Sequence, residues 1–219
     1  MEAHGLLRKI ELGRIDDTSK SKPVAFAGSG ICAGIGTEIG LACHRRFLSS
    51  SKNSKIGLPE ILVGLFPGLG GTTRVPRMMG LMGASSVLLE GKLFTSNKAK
   101  SIGLVDEVVS EDELIQKAKD WVLSASPQDL VKPWDQKGFK FPGGAPYHPG
   151  GFMSFVGASA LVNGKTKGLY FSAKALLSSV YEGALVDFDT ALRIEARWFT
   201  KVLMTDTCTN MARTLFLNK

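Results

Sequence analysis

Two carboxylates, one in each of two glycine-rich passages, are the residues whose type and setting could carry acid/base chemistry. Gly34-Ile35-Gly36-Thr37-Glu38 and Pro59-Glu60 put one glutamate in each of two glycine-rich passages, and each is flanked by apolar residues, Ile35 and Ile39 for the first, Ile61 and Leu62 for the second. Loss of water raises a carboxyl pKa toward the range where it can give and take protons near neutrality. If the two passages face each other, the pair could hold a water between them. The residues alone leave a second reading open, in which Glu38 is a helix first-turn residue favoured by the dipole and Glu60 an exposed turn residue. Other candidates are weaker. His44 follows Cys43 at a helix end, His148 lies in a proline-rich stretch, and no G-x-S-x-G elbow is present. Lys165, Lys167 and Lys174 could meet a phosphate or simply be solvated lysines at helix ends. Gly28-x-Gly30-x-x-x-Gly34 and Gly34-x-Gly36-x-x-x-Gly40 each miss the dinucleotide fingerprint by one residue, and no acidic residue lies between Glu38 and Glu60 to take a ribose hydroxyl. No NAD site is expected within these residues.

The elements that must carry these groups can be read from periodicity and punctuation. Glu2 to Ile15 has Leu6, Leu7, Ile10 and Leu12 in amphipathic helical spacing, and a polar run, Asp16 to Lys22, ends at Pro23. Val24-Ala25-Phe26-Ala27 suits a buried strand. A glycine-dense passage to Gly40 follows, with a short helix from Thr37 and a second strand at Phe47-Leu48. The second passage, Gly57 to Thr72, is too broken for a helix and too apolar for a surface loop, a combination found more often at sites than in scaffold. Ile102-Gly103-Leu104 stops a helix before a strand over Val105 to Val109. Ser110 and Glu113 have capping-box spacing and open a helix whose Leu114, Ile115, Ala118, Trp121 and Val122 share a face. Ser126 to Gly151 holds five of the nine prolines and reads as an extended linker. Four helices follow, over Phe152 to Asn163, Ala173 to Glu182, Phe188 to Leu203 and Cys208 to Leu217; in the third, Phe188, Ala191, Leu192, Trp198, Phe199, Val202 and Leu203 face one way.

Composition bounds the class. The chain has 219 residues, 44% hydrophobic and 21% charged, which excludes disorder, collagen and a coiled-coil rod. No run approaches the ~20 apolar residues of a membrane helix, and Met1 to Arg8 lacks the basic-then-apolar order of a secretory signal. A soluble, non-exported protein is expected, in a bacterial cytoplasm, a mitochondrial matrix or a peroxisome. Three cysteines, Cys32, Cys43 and Cys208, with no CxxC pair, support neither a disulfide framework nor a metal site. The net charge of +7 would suit an anionic partner, but basic residues are thinly spread and not interleaved with aromatics, so no nucleic acid is expected.

At the two glutamates the sequence becomes recognisable. Lys22-Pro23-Val24-Ala25-Phe26-Ala27 leading through Gly34-Ile35-Gly36-Thr37-Glu38 to Leu41-Ala42-Cys43-His44, then Gly57 through Arg74, resembles the enoyl-CoA hydratase/isomerase (crotonase) superfamily. Ala158-Ser159-Ala160-Leu161, Tyr181-Glu182-Gly183, Ala191 through Phe199 and Asn210 through Leu217 resemble the linker of the multifunctional fatty-acid oxidation alpha subunits, in which a hydratase domain precedes a 3-hydroxyacyl-CoA dehydrogenase domain. The resemblance implies an α/β fold with a crotonase-like (ββα)n spiral core, N-terminally truncated, followed by an all-helical region. Residues 1–125 would be the later part of the hydratase domain, 126–151 a linker, and 152–219 a helical region leading toward an absent dehydrogenase domain.

The resemblance also implies roles. Glu38 matches the base on the attacking water and Glu60 the acid that protonates the alpha carbon. Gly68 matches a glycine whose backbone touches that water, and the peptide N–H of Ile35 takes an oxyanion-hole position that the family usually gives to glycine, so the Ile35 side chain must point away from the thioester. An acyl-CoA thioester would be the substrate, with no cofactor, since NAD belongs to the dehydrogenase part, and a thiolase subunit or a complementary chain is the implied partner. The family's first strands and a loop carrying the second oxyanion N–H match nothing ahead of Met1. An enzyme reading, enoyl-CoA hydratase, therefore stands beside a non-enzymatic one, an inactive fragment or an association module needing a complementary chain.

Overall fold

The first helix shows how burial selects a face. In α1 (Glu2–Glu11) His4, Leu7 and Glu11 point inward at i, i+3 and i+7, while Leu6 faces water. Arg8 keeps the inward Glu11 paired, donating from Nη1 to its Oε2 at 3.0 Å and to Asp135 Oδ2 at 2.8 Å. The computed structural model describes residues 1–14 and 21–218, so Ile15 and the polar run through Lys20 lie outside the described residues.

In chain order there follow β1 (Ala25–Gly28), β2 (Ile31–Ala33), α2 (Ile35–Ala42), β3 (Arg45–Ser49), β4 (Lys55–Gly57), a 3-10 turn (Glu60–Val63) and α3 (Gly71–Leu88). Then come β5 (Leu93–Thr95), α4 (Ser96–Ser101), β6 (Glu107–Val109) and α5 (Leu114–Ser124). The helices α6 (Pro149–Thr166), α7 (Phe171–Gly183), α8 (Phe188–Leu203) and α9 (Asp206–Ala212) complete the chain, with a closing π turn over Arg213–Leu217.

Two compact units result, and neither is continuous in sequence. The first comprises Met1–Gly57 and Leu93–Phe139, the second Leu58–Lys92 and Lys140–Lys219. In the first unit the described strands form two small sheets, β1-β3-β6, all parallel, and β2-β4-β5, with β2-β4 parallel and β4-β5 antiparallel. Ala27 stands opposite Phe47 and Cys32 opposite Ile56. Phe47, Val109, Leu114 and Ala118 form a core cluster, with Ala25, Ala27 and Trp121 packed on it.

Several sequence expectations need correction. Ile31–Ala33 is a strand within the glycine-dense passage, too short to show alternation. The helix α5 begins only at Leu114, so Ser110 is no N-cap; its hydroxyl instead donates to the Glu113 carboxylate at 2.6 Å, and Ile115 is turned outward. The proline-rich stretch contains 3-10 turns at Pro127–Leu130 and Pro133–Asp135 and buries Lys132 and Trp134. On α8 Leu203 is exposed, and the inward stripe of Phe188, Ala191, Leu192 and Val202 includes one charged residue, Glu195. In the second unit α3 breaks at Gly80, whose φ of 75° and close approach to the Pro142 carbonyl leave no room for a side chain.

Candidate active site

The two candidate carboxylates fall in different units, Glu38 in the first and Glu60 in the second. Glu38 rides on α2, whose start is built for close backbone approach. Gly34 adopts φ 57° and ψ −123° as the N-cap, a conformation open to glycine, and the first amides of the helix, Ile35 among them, have no acceptor within the helix. The Ile35 side chain is 59% exposed. Thr37 fastens this turn to the sheet: its Oγ1 lies 2.8 Å from the carbonyls of Cys32 and Gly57 and accepts from Gly57 N at 3.2 Å. One residue on, Glu38 is 1% exposed in the first turn, where the helix dipole favours its charge. The far end of α2 is capped by the buried Lys132, whose Nζ donates to the carbonyls of Leu41, at 3.2 Å, and Cys43. Both ends of the Glu38 helix are therefore pinned.

Glu60 opens the 3-10 turn that Gly64 closes in the left-handed region at φ 77°. Its Oε2 is buried without a hydrogen-bond partner. Burial lifts its pKa from the ordinary 4.5 to about 7, helped by the negative charge of Glu195 and opposed by a backbone hydrogen bond. A carboxyl so placed is part protonated at neutral pH. Beside the turn a cavity of about 360 Å³ opens between Ile61, Leu62, Leu161, Tyr170, Met211 and Leu215. Gly68, in the same unit, packs under α8, and a Cβ there would come within 2.4 Å of the Phe199 ring.

Sequence reasoning missed Glu195. Fully buried, it meets the start of α3: Oε1 accepts from Gly70 N, and Oε2 accepts from Thr72 Oγ1 at 2.5 Å, Thr73 N at 3.0 Å and Thr73 Oγ1 at 3.1 Å. A carboxylate in the middle of an apolar stripe, between Leu192 and Phe199, was the available signal, because a buried charge requires partners. The other candidates have structural tasks. His44 Nδ1 accepts from Val24 N at 3.0 Å, and burial, then Lys132, holds its pKa down, so it stays neutral. Burial pushes the thiols of Cys32 and Cys208 up, away from nucleophilic thiolate. Among the described residues no group of three or more His, Cys, Asp or Glu could hold a metal ion, and no helix is long and apolar enough to cross a membrane.

Strands that come in pairs ahead of a helix, β1-β2 before α2 and β3-β4 before the 3-10 turn and α3, give the α/β pattern of the crotonase fold. Solved structures share it: an enoyl-CoA hydratase from Mycobacterium avium subsp. paratuberculosis K-10 superposes with a TM-score of 0.62 over 100% of this chain and 70% of that one, at 21% identity. An enoyl-CoA hydratase/isomerase from Pseudoalteromonas atlantica T6c does so at 0.58, over 99% and 66%, with 16% identity. The chain belongs to the enoyl-CoA hydratase/isomerase family, whose model matches residues 15–131, more than half of the chain. Among curated relatives, a fatty acid oxidation complex subunit alpha from Shewanella loihica is 36% identical over 188 residues, 86% of this chain and 26% of that protein. The chain thus spans about a quarter of the length of the curated relatives it matches.

Proposed function

We propose that the chain catalyses reversible hydration of a 2-enoyl-CoA thioester, as the hydratase part of a multifunctional beta-oxidation protein of the bacterial cytoplasm. Glu38 takes a proton from water as the oxygen bonds to the beta carbon; the pair of electrons displaced from the double bond gathers on the thioester oxygen as enolate, and Glu60 delivers a proton to the alpha carbon. Glu38 then releases its proton to solvent and Glu60 regains one, so the atoms balance with water alone and the reaction calls for no cofactor. The Ile35 N–H would meet the developing oxyanion, a backbone donor of a kind worth about 3 kcal/mol in a dry site, and the Gly68 backbone would hold the water. The mainly apolar cavity lined by Ile61 and Leu62, the residues that follow Glu60, offers an acyl chain a place to lie.

The observation that carries this reading is Glu60 itself, half-buried, with one oxygen out of water and unpartnered and a pKa lifted to about 7, the condition of a proton donor working at neutral pH. Loss of the enoyl thioester absorbance of crotonyl-CoA tests it, and absence of hydration at any pH between 5 and 9 would overturn it. One feature favours a second reading. Among the described strands β1 pairs with β3 alone, and an apolar groove lined by Ala25, Ile115, Val122 and Leu123, the last 85% exposed, runs beside it. A chain that joins a complementary segment there before turning over would be inactive alone and active on reconstitution. The acyl-CoA dehydrogenation that makes a 2-enoyl thioester would supply the substrate, and a 3-hydroxyacyl-CoA dehydrogenase would consume the product.

A further inference from the structure

The face that α8 turns toward the start of α3 is unusually specific. Leu192, Glu195 and Phe199, spaced i, i+3 and i+7, meet one short stretch of backbone. A Cβ on Gly70 would lie 3.3 Å from Leu192 Cδ2, a Cβ on Gly68 would strike the Phe199 ring, and Glu195 receives the amides of Gly70 and Thr73 together with both threonine hydroxyls. Phe199 is itself braced edge-on by Phe66, with ring centroids 5.7 Å apart. The carbonyl side of the turn is held too, since Arg74 Nη1 donates back to Leu69 O at 3.1 Å, across a Gly70 whose φ of 104° excludes other residues. If α8 served only to cover α3, an apolar residue at 195 would pack better, because a buried carboxylate is costly to desolvate. Its cost is offset only while Gly70, Thr72 and Thr73 all aim their donors at it. A charge that demands one arrangement of donors specifies the shape of the turn, which general apolar packing does not.

We propose that Glu195 is a positioning residue for the hydration reaction: by fixing the turn Gly68 to Thr73 from α8, it holds the Gly68 backbone where the attacking water must be met. The chemistry of this inference rests on the hydratase reading; the holding of the turn does not. Glu195 touches no substrate and acts through the turn. A misplacement of about 1 Å in such a positioning element can cost about 100-fold in rate while leaving substrate affinity largely intact.

Glu195→Gln preserves size but turns an N–H toward donors that need an acceptor, and Glu195→Asp preserves the charge on a shorter arm. We expect amide hydrogen exchange at Gly70 and Thr73 to quicken at least about 10-fold in the Gln variant. Its kcat for crotonyl-CoA hydration should fall about 10-fold to 100-fold with KM changed less than about 3-fold, and the Asp variant should recover part of kcat. Phe199→Leu, which retains the carboxylate, should lower kcat less. Unchanged exchange in the Gln variant would overturn the inference whatever the kinetics, and quickened exchange with undiminished kcat would overturn the positioning role. A fall confined to KM would do the same. A wild-type chain without hydratase activity would overturn the hydratase reading and the catalytic half of the inference, and the exchange rates would then decide alone whether Glu195 holds the turn.

Discussion

Replacing Glu60 with Gln should make the protein more stable and less active at once. The carboxyl is lifted from the ordinary 4.5 to about 7, chiefly by burial. A group whose proton affinity is higher in the folded chain than in the unfolded one contributes stability that is complete below pH 4.5 and is lost as pH rises through 7. Above pH 7 the folded protein carries a half-buried anion with one oxygen out of water and unpartnered. At about 1.4 kcal/mol for each tenfold change in proton affinity, the full effect would be about 3 kcal/mol. Glu60 keeps part of its contact with water, so about 2 kcal/mol is the expected relief at pH 8. For a chain of this size that corresponds to a rise in Tm of about 4–8 °C. Thermal unfolding of wild type and Glu60→Gln, followed by circular dichroism at pH 4.5, 6, 7 and 8, measures it directly. The gap should open between pH 5 and 8 and be near zero at pH 4.5, while hydration by the variant falls about 100-fold to 10,000-fold. A variant no more stable than wild type at pH 8, or a gap independent of pH, would refute the reasoning.

The wild-type hydration rate should decline as pH rises past about 7, because the protonated Glu60 is the donor, and a flat profile from pH 6 to 9 would count against that role. Glu38→Gln should lower crotonyl-CoA turnover by about 100-fold to 10,000-fold with the far-ultraviolet spectrum unchanged, since Thr37 and Lys132 anchor the two ends of its helix. Gly68→Ala should destabilise the fold by about 1–3 kcal/mol in denaturant titration, because its methyl group would sit 2.4 Å from Phe199. Isothermal calorimetry with NADH should show no stoichiometric binding to residues 1–219.

The parts legible in the sequence are those decided locally. Val24 to Ala27 reads as a strand because proline and glycine bound it, and α6 to α8 read as helices because their apolar spacing repeats over several turns, whereas the helix expected over Cys208 to Leu217 begins at Asp206 and gives way to a π turn after Ala212. The glutamates could be singled out because apolar neighbours flank them. What escaped was decided at long range. Lys132 and Trp134 look like parts of a solvated linker until the open carbonyls of α2 are available to receive the ammonium. Ile31–Ala33 is a strand only because β4 pairs with it. Glu195 resembles any charged residue of an amphipathic helix; its donors lie more than 120 residues earlier. The elevated proton affinity of Glu60 likewise depends on how completely the folded chain removes water, which spacing can suggest but not quantify.

The discontinuity of both units sets an order of events during synthesis. The first unit is interrupted by Leu58–Lys92 and finishes only with Phe139, while the second begins at Leu58 and finishes with the last helices. The segment bearing Glu60 and the start of α3 therefore leaves the ribosome early and must wait for α7 and α8 before its turn is gripped. During that interval its apolar run, Ile61 to Phe66, has no lasting cover, and closing so long a loop is slow. Termination or proteolysis anywhere between Lys140 and Glu195 would leave the strands and α2 intact in sequence yet deprive the glycine turn of its clamp. Such a chain would leave the apolar run Ile61 to Phe66 without that cover, the kind of exposed surface that chaperones bind.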